Sequence, residues 1–123
     1  MKLARNADVK TILVRSVEGG AVYGGALALK VLFPAENFTL LEVRYEPGVG
    51  APEHAHTHET VIYVVSGRVR TVIDREEYVL GPGDAARHPI GVSHIVEAIE
   101  ASLVIEIKSP PPDLSRMVGA TPT

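Results

Sequence analysis

Short alternating runs, broken by glycine and proline at close intervals, constrain this chain more than any other feature. From Phe38 to Glu46 the pattern places Thr39, Leu41, Val43 and Tyr45 on one face of an extended strand. Leu40, Glu42, Arg44 and Glu46 fall on the other. Further extended runs cover Val9 to Arg15, Ala26 to Phe33, Thr60 to Ser66, Arg68 to Asp74, Glu77 to Leu80, Val92 to Glu100 and Ser102 to Lys108, all rich in β-branched and aromatic residues. Between them lie Gly19-Gly20, Gly24-Gly25, Pro34, Pro47-Gly48-Val49-Gly50, Ser66-Gly67, Gly81-Pro82-Gly83-Asp84 and Pro89-Ile90-Gly91, which supply the fixed or positive φ that strand reversal needs. No segment carries a helical 3.6 period of useful length, so an antiparallel sandwich or barrel is expected rather than βαβ units.

At 123 residues the chain is long enough for one domain with a real core. We expect that domain to span residues 1–108. Three consecutive prolines, Pro110 to Pro112, cannot donate to a ladder, so residues 109–123 are expected to leave the barrel as a Pro-rich arm. The absence of cysteine excludes disulfides, thiolate ligands, iron–sulfur clusters and a cysteine nucleophile. With 12 Lys and Arg against 15 Asp and Glu, and no basic stripe or recognition helix, nucleic acid is not an expected partner. The first residues lack an apolar leader, and no apolar run approaches the ~20 residues that span a bilayer. A soluble, cytoplasmic protein without a membrane partner is expected.

All five histidines lie between Gly48 and His94. His54 and His56, two residues apart on an extended segment, share a face, and His94 comes from a distant strand where alternation groups it with apolar Val96 and Ala98. Imidazoles that meet inside a β shell form a nitrogen-only metal site, and His54, His56 and His94 are the expected ligands. For His88, just before Pro89, the expectation is a surface turn. Tyr45, on the inward face of the strand that leads to the first histidine turn, is a candidate proton donor. Arg87 is a candidate partner for a substrate carboxylate.

Gly48, His54, His56 and Gly67, followed by Gly83, Pro89, Gly91 and His94, have the residue types and spacings of the paired motifs of small single-domain cupins. The chain resembles that family from about Phe38 to Lys108. The resemblance implies a double-stranded β-helix, or jelly-roll barrel, and a divalent ion such as Zn, Fe, Mn or Ni. It also implies a homodimer paired through sheet edges and a small-molecule ligand. Two positions depart from the family pattern: Thr60 stands where a glutamate ligand is usual, and Ala98 where an asparagine is. Glu59, Thr60 and His58 are the candidates for a fourth contact. Without a carboxylate, three neutral imidazoles leave the ion's charge uncompensated, which favours an anionic substrate or a metal-bound hydroxide.

The first motif and the Ser-Pro-Pro tail are similar to those of short cupins that act on sugar acids, including unsaturated uronates. That similarity implies metal-assisted proton transfer or isomerisation. An Fe(II)-dependent dioxygenase and a non-catalytic small-ligand-binding cupin are the alternatives that the family leaves open.

Overall fold

The computed structural model describes residues 2–114 and 118–122. A single 3-10 turn, Asn6–Asp8, precedes the strands β1 (Ile12–Val17), β2 (Gly20–Ala21), β3 (Leu27–Pro34), β4 (Thr39–Tyr45), β5 (Glu59–Ser66), β6 (Val69–Ile73), β7 (Glu76–Leu80), β8 (Ala85–His88), β9 (His94–Ala98), β10 (Ser102–Ser109) and β11 (Val118–Pro122). They form two antiparallel sheets. The larger runs β11-β1-β3-β4-β10-β5-β8, with β2 paired to β1, and the smaller runs β7-β6-β9. This is the antiparallel barrel that the alternation predicts, in the jelly-roll form that the resemblance implies.

Alternation does most of the positioning. Leu41 and Val43 on β4, Ile62 and Val64 on β5, Val69 on β6 and Val104 on β10 are buried, together with Val14 on β1. These β-branched and leucine side chains interdigitate between the sheets, which is where the apolar driving force for closure is concentrated. Tight turns set the register. At the β5–β6 reversal Gly67 has φ +88°, and a Cβ there would sit 2.2 Å from the Ser102 hydroxyl. Only glycine fits that approach.

The two sheets are stitched by the segment between β4 and β5. Pro47 and Pro52 keep it from forming a regular strand. It nevertheless runs alongside β9: Gly48 donates to the Ala98 carbonyl at 2.8 Å, Ala98 donates to the Val49 carbonyl at 2.9 Å, and His54 and His94 exchange backbone hydrogen bonds at 3.2 and 2.9 Å. Two histidines far apart in sequence are thereby fixed opposite each other.

Two expectations need correction. The chain beyond Ser109 does not simply depart as an arm: the prolines end β10, but Val118–Pro122 returns to pair with β1, with Ile12 opposite Pro122 and Val17 opposite Val118. β11 lies at a sheet edge, where a proline costs no interior ladder bond. Residues 115–117 and 123 of that expected arm lie outside the described residues. The second correction is β8. Ala85-Ala86-Arg87-His88 is flanked by turn residues and carries little β propensity of its own, yet it pairs with β5 from Tyr63 opposite Ala85 to Thr60 opposite His88. His88 is therefore not on the surface but 2% exposed inside the barrel. Among the described residues no helix is long and apolar enough to cross a membrane.

Candidate metal centre

His54, His56 and His94 each offer a nitrogen within 4.8 Å of the others. Their ring centroids are 4.4 to 5.1 Å apart. Which nitrogen faces the gap follows from the hydrogen bonds behind the rings. His54 Nδ1 donates to the Pro52 carbonyl at 2.8 Å, His94 Nδ1 to the Val92 carbonyl at 3.3 Å, and His56 Nδ1 to the Glu18 carboxylate at 3.0 Å. An imidazole that donates from Nδ1 keeps its Nε2 lone pair free. Three rings are thus held in the tautomer that a metal ligand needs, by the kind of backing contact that orients metal-bound histidines.

Burial maintains that state. His56 is pushed down to about 2 by burial and by the Lys108 ammonium, and His94 to about 3 by burial and by His88 and His54. His54 is lowered by burial despite the Pro52 carbonyl. Neutral imidazole is the ligating form, so these rings need shed no proton to take an ion at neutral pH. The donors are all nitrogen, with no thiolate in the chain, a set that suits a divalent ion such as Zn, Fe, Mn or Ni. The residues present fit the group.

The other two histidines flank the cluster. His88 stacks flat on His94, with centroids 4.2 Å apart and 4° between the planes. Thr71 spends its hydroxyl proton on the Ile95 carbonyl, so His88 Nε2–H is the donor in the 2.9 Å contact between them. His58 stacks on His56 at 4.5 Å, and its buried Nε2 has no hydrogen-bond partner among the described residues. Both are neutral: burial and Lys108 push each down to about 4. His58 also shares a groove with Glu18 and with Pro110, Pro111 and Pro112, so the proline stretch borders the site.

The three histidines open onto a cavity of about 60 Å³, room for a few waters or one end of a small substrate. Leu27, Leu29, Val43 and Ile62 supply apolar wall, and Tyr45 and Thr60 line it as well. Tyr45 is the expected inward tyrosine; burial, reinforced by the Glu106 carboxylate, raises its phenol well above the usual value and keeps it protonated. Thr60 is buried, and its hydroxyl accepts from Lys108 Nζ at 3.0 Å.

Glu59 and Arg87 are not brought to the cluster. Alternation turns both outward, where Arg87 Nε pairs with the Glu59 carboxylate at 3.0 Å and the arginine side chain is 63% exposed. A fourth contact from Glu59 and a substrate contact from Arg87 are therefore not supported by their placement.

Three functional candidates escape sequence reading. Glu106 and Lys108 are 9% and 5% exposed, face the cavity from β10, and form an ion pair at 3.0 Å. Their parity with Val104 was the signal available, since residues two apart on a strand share a face. The third is Glu18, at φ 49° in the two-residue turn between Val17 and Gly20. The turn is legible in Gly19-Gly20; the reach of its glutamate to a histidine ring far along the chain is not.

Comparison with known proteins accords with this architecture. No curated protein matches the chain. Among solved structures, an RmlC-like cupin from Shewanella frigidimarina superposes with a TM-score of 0.78 at 22% identity, over 92% of this chain and 94% of that one. KdgF from Halomonas sp. gives 0.75 at 27% identity over 92% and 96%. A protein described as a predicted oxalate decarboxylase from Thermotoga maritima gives 0.73 at 16% identity over 86% and 96%. The Cupin domain model matches residues 41–106, the stretch that carries both histidine supplies and the strands between them. This chain belongs to the cupin family.

Proposed function

We propose that this cupin is a metal-dependent enzyme acting on a small, oxygen-rich anionic substrate, with sugar acids the favoured class, by metal-assisted proton transfer or isomerisation. One observation carries the reading: three Nε2 atoms, freed by the bonds that their Nδ1 atoms make, converge on a cavity that also holds a carboxylate and a protonated phenol. A divalent ion held by His54, His56 and His94 would supply Lewis acidity, polarising a carbonyl or hydroxyl oxygen of the substrate. The chain's own residues supply the proton movement. Glu106 is placed to accept a proton at its carboxylate, and Tyr45, kept neutral by its surroundings, to donate one at its phenol oxygen. The apolar wall excludes water from the same space. With Thr60 in place of a carboxylate, an anionic substrate offsets the ion's charge.

The test is metal analysis of the purified protein, followed by a screen of saturated and unsaturated uronates and an oxygen-uptake assay with Fe(II). Turnover of a uronate without oxygen consumption is the expected result. Oxygen uptake would move the assignment to a dioxygenase, and bound metal without turnover on any class would move it to a ligand-binding module.

We further propose that the protein is a homodimer. Val61, Tyr63 and Val65 on β5 and Ile107 on β10 are exposed on the outer face of the larger sheet, where Ile107 lies opposite Val61, forming an apolar patch suited to a second copy. Light scattering should give twice the chain mass, and Tyr63→Lys should shift it toward the monomer.

A further inference from the structure

Lys108 is out of place by ordinary rules. An ammonium is rarely buried unless it is paired, and pairing inside a barrel recovers the desolvation cost only when the remaining donors are also satisfied. Lys108 Nζ has three protons and, among the described residues, two partners: the Glu106 carboxylate at 3.0 Å and the Thr60 hydroxyl at 3.0 Å. Its third donor is uncommitted, on a side chain that lines the cavity with the three metal-type histidines. Around it the cavity is lined by the imidazoles of His54, His56, His88 and His94, the phenol of Tyr45 and apolar side chains. Among the described residues Glu106 is the one anion lining the space, and Lys108 already balances it.

The register explains why the lysine is there. Lys108 lies directly opposite Thr60 across the β5–β10 ladder. A carboxylate at position 60 would place a second negative charge, besides that of Glu106, against the ammonium and repel an anionic ligand. With threonine there, the ammonium keeps a donor and its positive field.

We propose that Lys108 is the anchor for the carboxylate of the substrate, selecting sugar acids over neutral sugars, and that Thr60 keeps it available by withholding a protein carboxylate. This rests on the metal-dependent reading above, and it names the group that recognises the anion while the ion engages another oxygen. The rigid β10 strand and the Thr60 contact hold the ammonium in place before ligand arrives.

The test is calorimetric titration of the metal-loaded protein with D-glucuronate and, separately, with D-glucose. Wild type is expected to bind glucuronate and to discriminate against glucose. Lys108→Met keeps most of the length of the side chain and removes the charge; it is expected to weaken glucuronate binding at least about tenfold, the scale of a charge-assisted hydrogen bond, with glucose binding unchanged. Thr60→Glu retains the lysine but gives it a resident carboxylate. It should lose glucuronate to a similar degree even if the methionine variant does not fold. Metal content measured on the same samples separates the two readings. A metal-free wild type would overturn the proposed enzyme, whereas metal-loaded Lys108→Met or Thr60→Glu that binds glucuronate as wild type does would overturn the anchor alone. A wild type that binds glucose as well as glucuronate would overturn it too.

Discussion

The interior of this barrel has two ends built on the same strands. Along β10, Val104 faces inward with Val43 of β4 and Val64 of β5 beside it, an all-apolar layer. Farther along the same face, Lys108 sits opposite Thr39 and Thr60, and Thr60 in turn lies opposite His88. The pleat treats both ends identically, since alternation decides only that a side chain points in. What separates scaffold from site is whether the inward residue can be satisfied by its own layer. Valine needs only neighbours to fill space, whereas a histidine or an ammonium needs a partner, and here the partners arrive from other strands and turns.

The comparison predicts different responses at the two ends. The largest effect should come from pH. Buried histidines that remain neutral in the folded state bind fewer protons than the unfolded chain does below its ordinary value of about 6.5. The unfolded state is therefore favoured as pH falls, with stability intact above 6.5 and declining below it toward the folded values near 4 for His58 and His88 and lower for His94 and His56. Each such histidine contributes up to about 1.4 kcal/mol per pH unit in that window. Denaturant titrations of the metal-free protein between pH 7.5 and 4.5 measure the slope; stability independent of pH across that range would mean that the site end is open to water.

A cut at the apolar end should be the next largest. Leu41→Ala is expected to cost ~2–5 kcal/mol in chemical denaturation, by lost burial plus the cavity it leaves. The metal affinity of its folded fraction should be unchanged. His56→Ala should do the reverse, removing more than ~100-fold in metal affinity while the metal-free barrel unfolds cooperatively. A His56→Ala chain that is unfolded without denaturant would erase the distinction between the two ends. Smaller again is Glu18→Ala, which leaves all three ligands but frees the His56 ring behind; metal affinity should drop ~10–100-fold. Glu18→Gln, which still accepts at its amide oxygen, should recover part of that loss.

How much of this could be read from residues alone divides along the same line. The barrel was legible because alternation and turn chemistry are local: the inward set of β4 and the reversal at Gly67 follow from short-range pattern, whereas the convergence of His54 and His56 with His94 was legible through the paired motifs of the family that the chain resembles. The Glu106–Lys108 pair was not, because a charge on an inward face gains its meaning only from Thr60 opposite, a relation set by register between distant segments. The burial of His88 went unread for a similar reason: β8 owes its strand geometry to β5 rather than to its own sequence. The return of the chain beyond the prolines to β1 was hidden as well, since local composition marks where a strand ends and not where the next one pairs.

The central claim is that one ion is held by His54, His56 and His94 at the boundary between those two ends. An anomalous-scattering map of crystals of the metal-loaded protein tests it directly. It should contain one strong peak per chain, bonded to the Nε2 atoms of those three rings. A peak placed elsewhere, on His58 and His88 or on the surface, or three rings with no metal among them in protein shown to carry it, would contradict the account.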